Sequence, residues 1–230
     1  VEMDMIFIPN YLTEEIFRSN RYQDILEVIT KLDLSLEAIN EQEMGDLFEY
    51  LITFFAGGPN YKDSSDHYTP REIIKLMIKL TLIDFKDKTK NDSLKKKAFY
   101  DSCAGSGGVL TFANKELREK ELNTEFEFYG QEINDYSYAL CKANLLINGL
   151  ESRNIELGDS LCANKIKKND FDYLVSIPPF GQFWGLQREA IEKGPLAEFA
   201  PALPRRSDSS FLFLLDQISR MKPFEEGGSR

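Results

Sequence analysis

The chain has 230 residues, 28 Lys+Arg against 38 Asp+Glu, a formal net charge of −10 and 42% hydrophobic residues. This is a globular composition, without an apolar run near the ~18 residues of a membrane-spanning helix and without a basic-then-apolar secretory leader. The acidic balance argues against a free-standing nucleic-acid binder working by bulk charge, and leaves room for a nucleic-acid enzyme whose basic surface lies elsewhere. The three scattered cysteines (Cys103, Cys141, Cys162) exclude a disulfide framework or zinc ribbon and point to a reducing cytoplasm.

In chain order, the first segment reads helical. Leu12 to Asn20 has Thr13 as N-cap and acids in the first turn. Arg21 to Leu32 places Tyr22, Ile25, Leu26, Val28, Ile29 and Leu32 on one apolar face. Met44 to Phe55 repeats this with Leu47, Phe48, Leu51, Ile52 and Phe55, and stops at the breaker cluster Gly57-Gly58-Pro59-Asn60. Residues 57–66 read as an exposed loop. A new helix opens with Thr69 as N-cap, Pro70 at its first position and Glu72 just inside, and runs to about Leu82. The lysine-rich stretch from Lys86 to Lys97 is a solvated connector.

Strands and helices then alternate. Ala98 to Cys103, Glu125 to Gly130, Asn154 to Leu157 and Phe171 to Ser176 read as strands. Gly108 to Leu122, Asn134 to Asn148 and Asp208 to Met221 read as helices. This order specifies an α/β protein with a parallel sheet covered on both faces. Gly181 to Ser207 reads as a long irregular loop, of a length that is often functional. The ending at Glu225 to Arg230, where an α/β chain commonly runs on into a strand, reads as a piece of a longer protein.

Three places carry chemistry. Asp101-Ser102-Cys103-Ala104-Gly105-Ser106-Gly107-Gly108 follows a strand and opens a helix. Its glycines let backbone approach a ligand, and the helix start offers free N–H donors. The same pattern also fits a tight strand-to-helix corner. It is not Gly-x-Gly-x-x-Gly, since Leu110 takes the last place, and it lacks the Lys-Ser/Thr of a phosphate loop. That disfavours an oxidoreductase. Glu132, at the end of the second strand, suits two ribose hydroxyls; alone it reads equally as a surface acid. Asp159 and Ser160 follow the third strand and suit an adenine amino group or a plain turn. Ile177-Pro178-Pro179-Phe180 stiffens the exit of the fourth strand and presents an aromatic ring for stacking on a planar base, or for capping the sheet.

With these motifs in this order, most of the chain resembles the modification subunit of type I restriction-modification systems, an N6-adenine DNA methyltransferase family. The carrying residues are Asp66-His67-Tyr68-Thr69-Pro70-Arg71, the 101–108 turn, Gln131-Glu132, Gly158-Asp159 and Ile177-Pro178-Pro179-Phe180. Met44 to Leu51 and Leu203 to Pro223 add to the likeness. The resemblance implies a helical N-terminal domain (1–60) and a Rossmann-like S-adenosylmethionine-dependent methyltransferase domain (61–230), C-terminally truncated. It implies a cofactor site formed by Asp66, His67, Tyr68, Thr69, Pro70, Arg71, Asp101, Gly105, Ser106, Gly107, Gly108, Glu132, Asp159 and Ser160. Tyr68-Thr69-Pro70 and Ser106, Gly107 and Gly108 would face the methionine end, while Glu132 holds the ribose and Asp159 the adenine. His67 fits a loop-filling imidazole as well as a ligand contact. The Pro178 carbonyl would accept from the target amine, with Phe180 stacked on the flipped base. The implied partners are DNA and the specificity and restriction subunits.

The chain departs from the family pattern at Ile177, where the family carries Asn or Asp. An adenine amine is a poor nucleophile, and two acceptors normally hold its N–H bonds as charge develops. Isoleucine supplies none, so a cofactor pocket with weak methyl transfer is expected. A catalytically silent cofactor- and partner-binding subunit is the next reading. A protein or RNA amino-methyltransferase is disfavoured by the helical segment and Tyr68-Thr69-Pro70. An open sheet edge beside residues 172–176, prone to self-association, is also expected.

Overall fold

The computed structural model describes residues 21–33, 35, 38–39, 41–56, 69–83, 96–120, 124–194, 196–226 and 228–230. The expected helix at 12–20, the loop at 57–66 and most of the lysine-rich connector lie outside these residues.

Four strands form a parallel sheet: β1 (Lys97–Asp101), β2 (Phe126–Glu132), β3 (Ile155–Leu157) and β4 (Tyr173–Leu174), in the order β3-β2-β1-β4. β1 is central and buried from Ala98 to Asp101, as an unbroken apolar strand in a sheet covered on both faces must be. Alternation sends Phe99 and Tyr100 to opposite faces. Phe99 meets Phe128 and Tyr173, each at 6.0 Å between ring centroids. Tyr100 stacks on Phe171 at 4.7 Å.

The helices are α1 (Arg21–Ile29), α2 (Glu41–Ala56), α3 (Arg71–Thr81), α4 (Gly108–Glu119), α5 (Asp135–Ile147), α6 (Arg188–Lys193) and α7 (Ser210–Ser219). Ile74 and Ile78 of α3, Leu110 and Ala113 of α4, and Cys141 and Leu145 of α5 close one sheet face over Phe99, Phe128 and Ile155. α5 starts at Asn134, whose side chain accepts from Ser137 N–H at 2.9 Å, a standard N-cap. α7 serves the other face. Its buried Asp216 accepts from the Tyr100 hydroxyl at 3.1 Å and pairs with Arg220 at 3.0 Å. Burial pushes the Asp216 carboxyl up, against the Arg220 charge beside it.

The structure corrects several expectations. Pro70 sits in the capping position of α3, with its carbonyl accepting from Ile73 and Ile74, and Thr69 makes no side-chain cap bond. The 181–207 segment is not irregular. It folds as a 3-10 turn (Gly185–Gln187), α6 and a second 3-10 stretch (Ala197–Ala202). Trp184, Ile191 and Leu196 drive this by packing on Leu212 and Leu215 of α7. The outer edge of β4 is partly paired. Phe171 N–H donates to the Arg220 carbonyl at 3.1 Å, Leu174 N–H to Arg230 at 2.7 Å, and Arg230 N–H to Asp172 at 3.1 Å. The apolar face drawn for 21–32 is open at Val28, Ile29 and Leu32, each about half exposed.

α2 leans on the sheet domain through Arg71 to Glu49 at 2.6 Å and Lys115 to Asp46 at 3.3 Å. Burial raises the Glu49 carboxyl, with Arg71 opposing. No helix among the described residues is long and apolar enough to cross a membrane.

Candidate functional site

The chain runs from β1 outward through β2 to β3 on one side and then returns to β4 on the other side of β1, so the strand order reverses at β1. In open α/β sheets this switch point is where ligands bind. The turn after β1 is fixed from below by Asp101. Asp101 is fully buried and accepts the Cys103 N–H at 2.9 Å. Burial pushes its pKa up to about 7, against the Cys103 N–H and the Ser176 hydroxyl, while the charge of Glu132 adds to the rise. Gly105 then turns with φ of 53°, a conformation costly for any residue with a Cβ. That turn aims the Gly105 N–H at Glu132, 2.8 Å away.

Glu132 ends β2. Its other oxygen accepts the Asn134 N–H at 2.8 Å, so the carboxylate is clamped between the glycine turn and the start of α5. At the end of β3, one Asp159 oxygen accepts from Leu161 and Cys162 N–H, at 2.8 and 3.2 Å. The Ser160 hydroxyl donates to the Ser102 carbonyl at 2.7 Å, tying the β3 and β1 exits together. On the β4 side, Ser176 accepts from Ser102 N–H at 2.8 Å. Ile177 follows, half-buried against the main core cluster, and then Pro178 and Pro179. Phe180 is 76% exposed.

These exits surround one cleft of about 860 Å³, the size of a pocket for a cofactor-sized ligand. Gly105, Ser106, Gly108, Glu132, Asp159 and Ser160 line it from the β1 to β3 side, Ile177, Pro178, Pro179 and Phe180 from the β4 side, and Thr69 and Pro70 from the start of α3. The family model described as N-6 DNA Methylase matches residues 40–227. The chain belongs to that family.

Among relatives of this chain, the Type I restriction enzyme MjaVII methylase subunit of Methanocaldococcus jannaschii is 27% identical over 175 residues, covering 75% of this chain and 28% of that one. The Type I restriction enzyme MpnII methylase subunit of Mycoplasma pneumoniae is 28% identical over 213 residues, covering 87% of this chain and 37% of that one. Among solved structures, the type I restriction-modification system methyltransferase subunit from Streptococcus thermophilus superposes with a TM-score of 0.60 at 27% identity, over 76% of this chain and 36% of that one. The chain thus spans about a third of the length of these relatives.

Three residues expected at the site stand outside the cleft lining. Asp101 lies beneath the turn. Gly107 is buried and faces α5, where an added Cβ would stand 2.8 Å from Leu145 Cδ1 and 3.0 Å from Cys141 Sγ. Arg71 points to Glu49 and lies 6.0 Å over the Phe112 ring. Asp66, His67 and Tyr68 fall outside the described residues. Conversely, Ser102, Cys103, Gln131, Cys162, Ser176, Phe183 and Trp184 line the cleft without a role assigned from sequence. Cys162 is pushed up to about 11, by burial first and by Asp159 beside it, so neither it nor the more strongly raised Cys103 offers a ready thiolate.

Proposed function

We propose that this chain is the methyl-transfer portion of a type I restriction-modification methyltransferase, binding S-adenosylmethionine in the cleft and acting on adenine N6 in DNA. The observation that carries it is the clamped Glu132, 2.8 Å from Gly105 N–H, opening on the same cleft as Ile177-Pro178-Pro179-Phe180. The two Glu132 oxygens accept N–H groups from the glycine turn and from the start of α5, and an acceptor-only carboxylate held in this way suits a vicinal diol. Asp159 has one oxygen committed to backbone N–H groups and its other oxygen suits an adenine amine. Held by Glu132 and Asp159, the cofactor would supply an electrophilic methyl group on its sulfonium sulfur.

The chain's own work is then positional. Phe180 stacks on the extruded base, and the Pro178 carbonyl accepts one amine N–H. Ile177 accepts nothing and leaves the second N–H desolvated, at a cost of about 1–3 kcal/mol. Loss of one such group lowers a rate on the order of 100-fold or more, so transfer by this chain is slow. Residues 1–60 form a helical domain and 61–230 the methyltransferase domain in this reading. Specificity and restriction subunits are the partners, and the former supplies base recognition. The half-burial of Ile177 in the core cluster favours the second reading, a silent cofactor- and partner-binding subunit.

Calorimetry with S-adenosylmethionine tests the pocket, and labelled-methyl transfer to DNA by the assembled complex tests the activity. Absence of binding heat would remove the first reading and the second together. Binding without any transfer would leave only the second.

A further inference from the structure

The cleft has a rim that the proposed chemistry does not use. Phe183 is 61% exposed and Leu186 89% exposed, on the short stretch that follows Phe180. Phe183 lines the cleft beside Phe180. Large apolar side chains so placed cost solvation without any packing return, yet the backbone beneath them is firmly held. Gly181 N–H donates to Asp208 at 3.3 Å. Trp184, 3% exposed, donates from its backbone N–H to the Arg206 carbonyl at 3.0 Å and from Nε1 to the Arg205 carbonyl at 2.9 Å. The Phe183 ring lies against Gly185, where any Cβ would collide with it.

The same bonds bring a pair of cations to the rim. Residues 181–207 contain Arg188, Lys193, Arg205 and Arg206. Arg188 pairs with Glu192, and Lys193 with Glu189, inside α6. Arg205 and Arg206 are the two that α6 does not pair; both are exposed. The Trp184 bonds hold their backbone beside the Phe183–Trp184 segment, with Asp208 within range of the Arg205 charge. Apolar wedges beside paired arginines are the chemistry of a duplex being opened. The wedge fills the space an extruded base vacates, and the guanidinium groups hold the flanking phosphates.

We infer that this rim is a DNA-opening surface, in which Phe183, with Leu186, fills the gap left by the extruded adenine, and Arg205 and Arg206 clamp the adjacent phosphates. The inference rests on reading the cleft as a base-accepting methyl-transfer site, and it adds positioning residues to that site. These residues touch neither the methyl group nor the amine, so they act by holding the duplex open.

The test uses the complex assembled with the specificity subunit and a short duplex carrying one mismatched 2-aminopurine, whose fluorescence rises on unstacking. Binding is read by anisotropy at several salt concentrations. Arg205→Gln with Arg206→Gln is expected to weaken binding at low salt and to reduce the log–log salt slope by about two, at roughly 0.9 for each phosphate no longer neutralised. Phe183→Ala is expected to cut the fluorescence rise per bound duplex roughly ten-fold, in line with removal of a base–aromatic stack, while Phe183→Tyr keeps it. All four side chains are exposed, so the melting temperature of each variant should match the parent and serves as the folding control. Unchanged salt slope in the arginine variant together with unchanged fluorescence in Phe183→Ala would overturn the inference. Calorimetry with S-adenosylmethionine runs alongside on the parent. A parent that binds the cofactor but not the duplex sinks the DNA-opening surface alone, and one that binds neither sinks the cleft reading as well.

Discussion

The two walls of the cleft are built differently. The β1–β2 wall is cross-linked by hydrogen bonds. Gly105 and Asn134 hold Glu132, Ala104 N–H donates to the Gln131 carbonyl at 3.1 Å, and Asn144 donates to the Ser106 carbonyl at 2.9 Å. The β4 wall from Ile177 to Phe183 is apolar, with Phe180 and Phe183 exposed and the Gly181–Asp208 bond as a polar tie. A polar ligand needs donors and acceptors fixed before it arrives, because ordering them at binding costs affinity. The first wall meets that condition. The second offers stacking surface and backbone carbonyls, and at its reacting corner a side chain with no lone pair. In the proposed reading, the molecule is better prepared to hold a cofactor than to complete a transfer.

The sharpest way to break that contrast is to give the second wall its acceptor. Ile177→Asn in the assembled complex is expected to raise labelled-methyl transfer by about 100-fold or more, at some loss of stability because Ile177 packs on the core cluster. An unchanged rate would mean that the poor acceptor set is not what limits transfer.

The first wall has its own weak point in Asp101. A carboxyl whose folded pKa is raised binds its proton more tightly in the folded chain than in the unfolded one. Its share of stability is therefore present at low pH and is lost as pH rises from the unfolded value, about 3.9, to about 7 in the fold. Asp101→Asn removes that dependence. In urea titrations the variant should gain on the parent by something on the order of 3 kcal/mol between about pH 4 and about pH 8. A constant difference across that range would show that Asp101 titrates in the fold as it does in the unfolded chain.

Third in size is the diol clamp itself. Glu132→Ala removes the acceptor for two backbone N–H groups and, in the proposed reading, for two ligand hydroxyls. S-adenosylmethionine affinity should fall by about 2 kcal/mol or more, roughly 30-fold, as measured by calorimetry. An equal affinity would move the cofactor away from β2.

Much of this was legible in the sequence, for identifiable reasons. Strand-then-helix alternation gave the parallel sheet, because an unbroken apolar run such as Ala98 to Tyr100 has to be buried on both faces. That Glu132, Asp159 and Ile177 to Phe180 line one cleft follows from their places after strands, since parallel strands deliver their carboxyl ends to one side. The 181–207 fold was not readable. Its Trp184, Ile191 and Leu196 have neither period, and only packing against Leu212 and Leu215 makes them a core. Arg71 and Asp101, expected at the site, stand outside the cleft lining for a related cause. A charge next to a motif reads as a ligand contact, whereas burial and the nearness of Glu49 or Cys103 are tertiary facts.

Gly107 makes the smallest and most discriminating case. Three glycines in one turn look alike in sequence, and ligand approach is the usual reason for them. Gly105 fits that reason: it lines the cleft, and an added Cβ would meet nothing nearer than the Cys103 carbonyl at 3.9 Å. Gly107 has φ of 82° and faces α5, with Leu145 and Cys141 within 3.0 Å of a Cβ. Its role is the close seating of α4 on α5, so Gly107→Ala should act on the fold and spare the ligand. Positive φ and crowding together should cost about 1–2 kcal/mol, read as a lower urea midpoint. The flexible end of Leu145 can absorb part of the overlap, which keeps the cost at that level. S-adenosylmethionine affinity of the folded fraction should stay within about two-fold of the parent, since a change of less than about 0.4 kcal/mol is all that a site with unchanged lining should register. A large affinity loss at unchanged stability would return Gly107 to the cofactor wall.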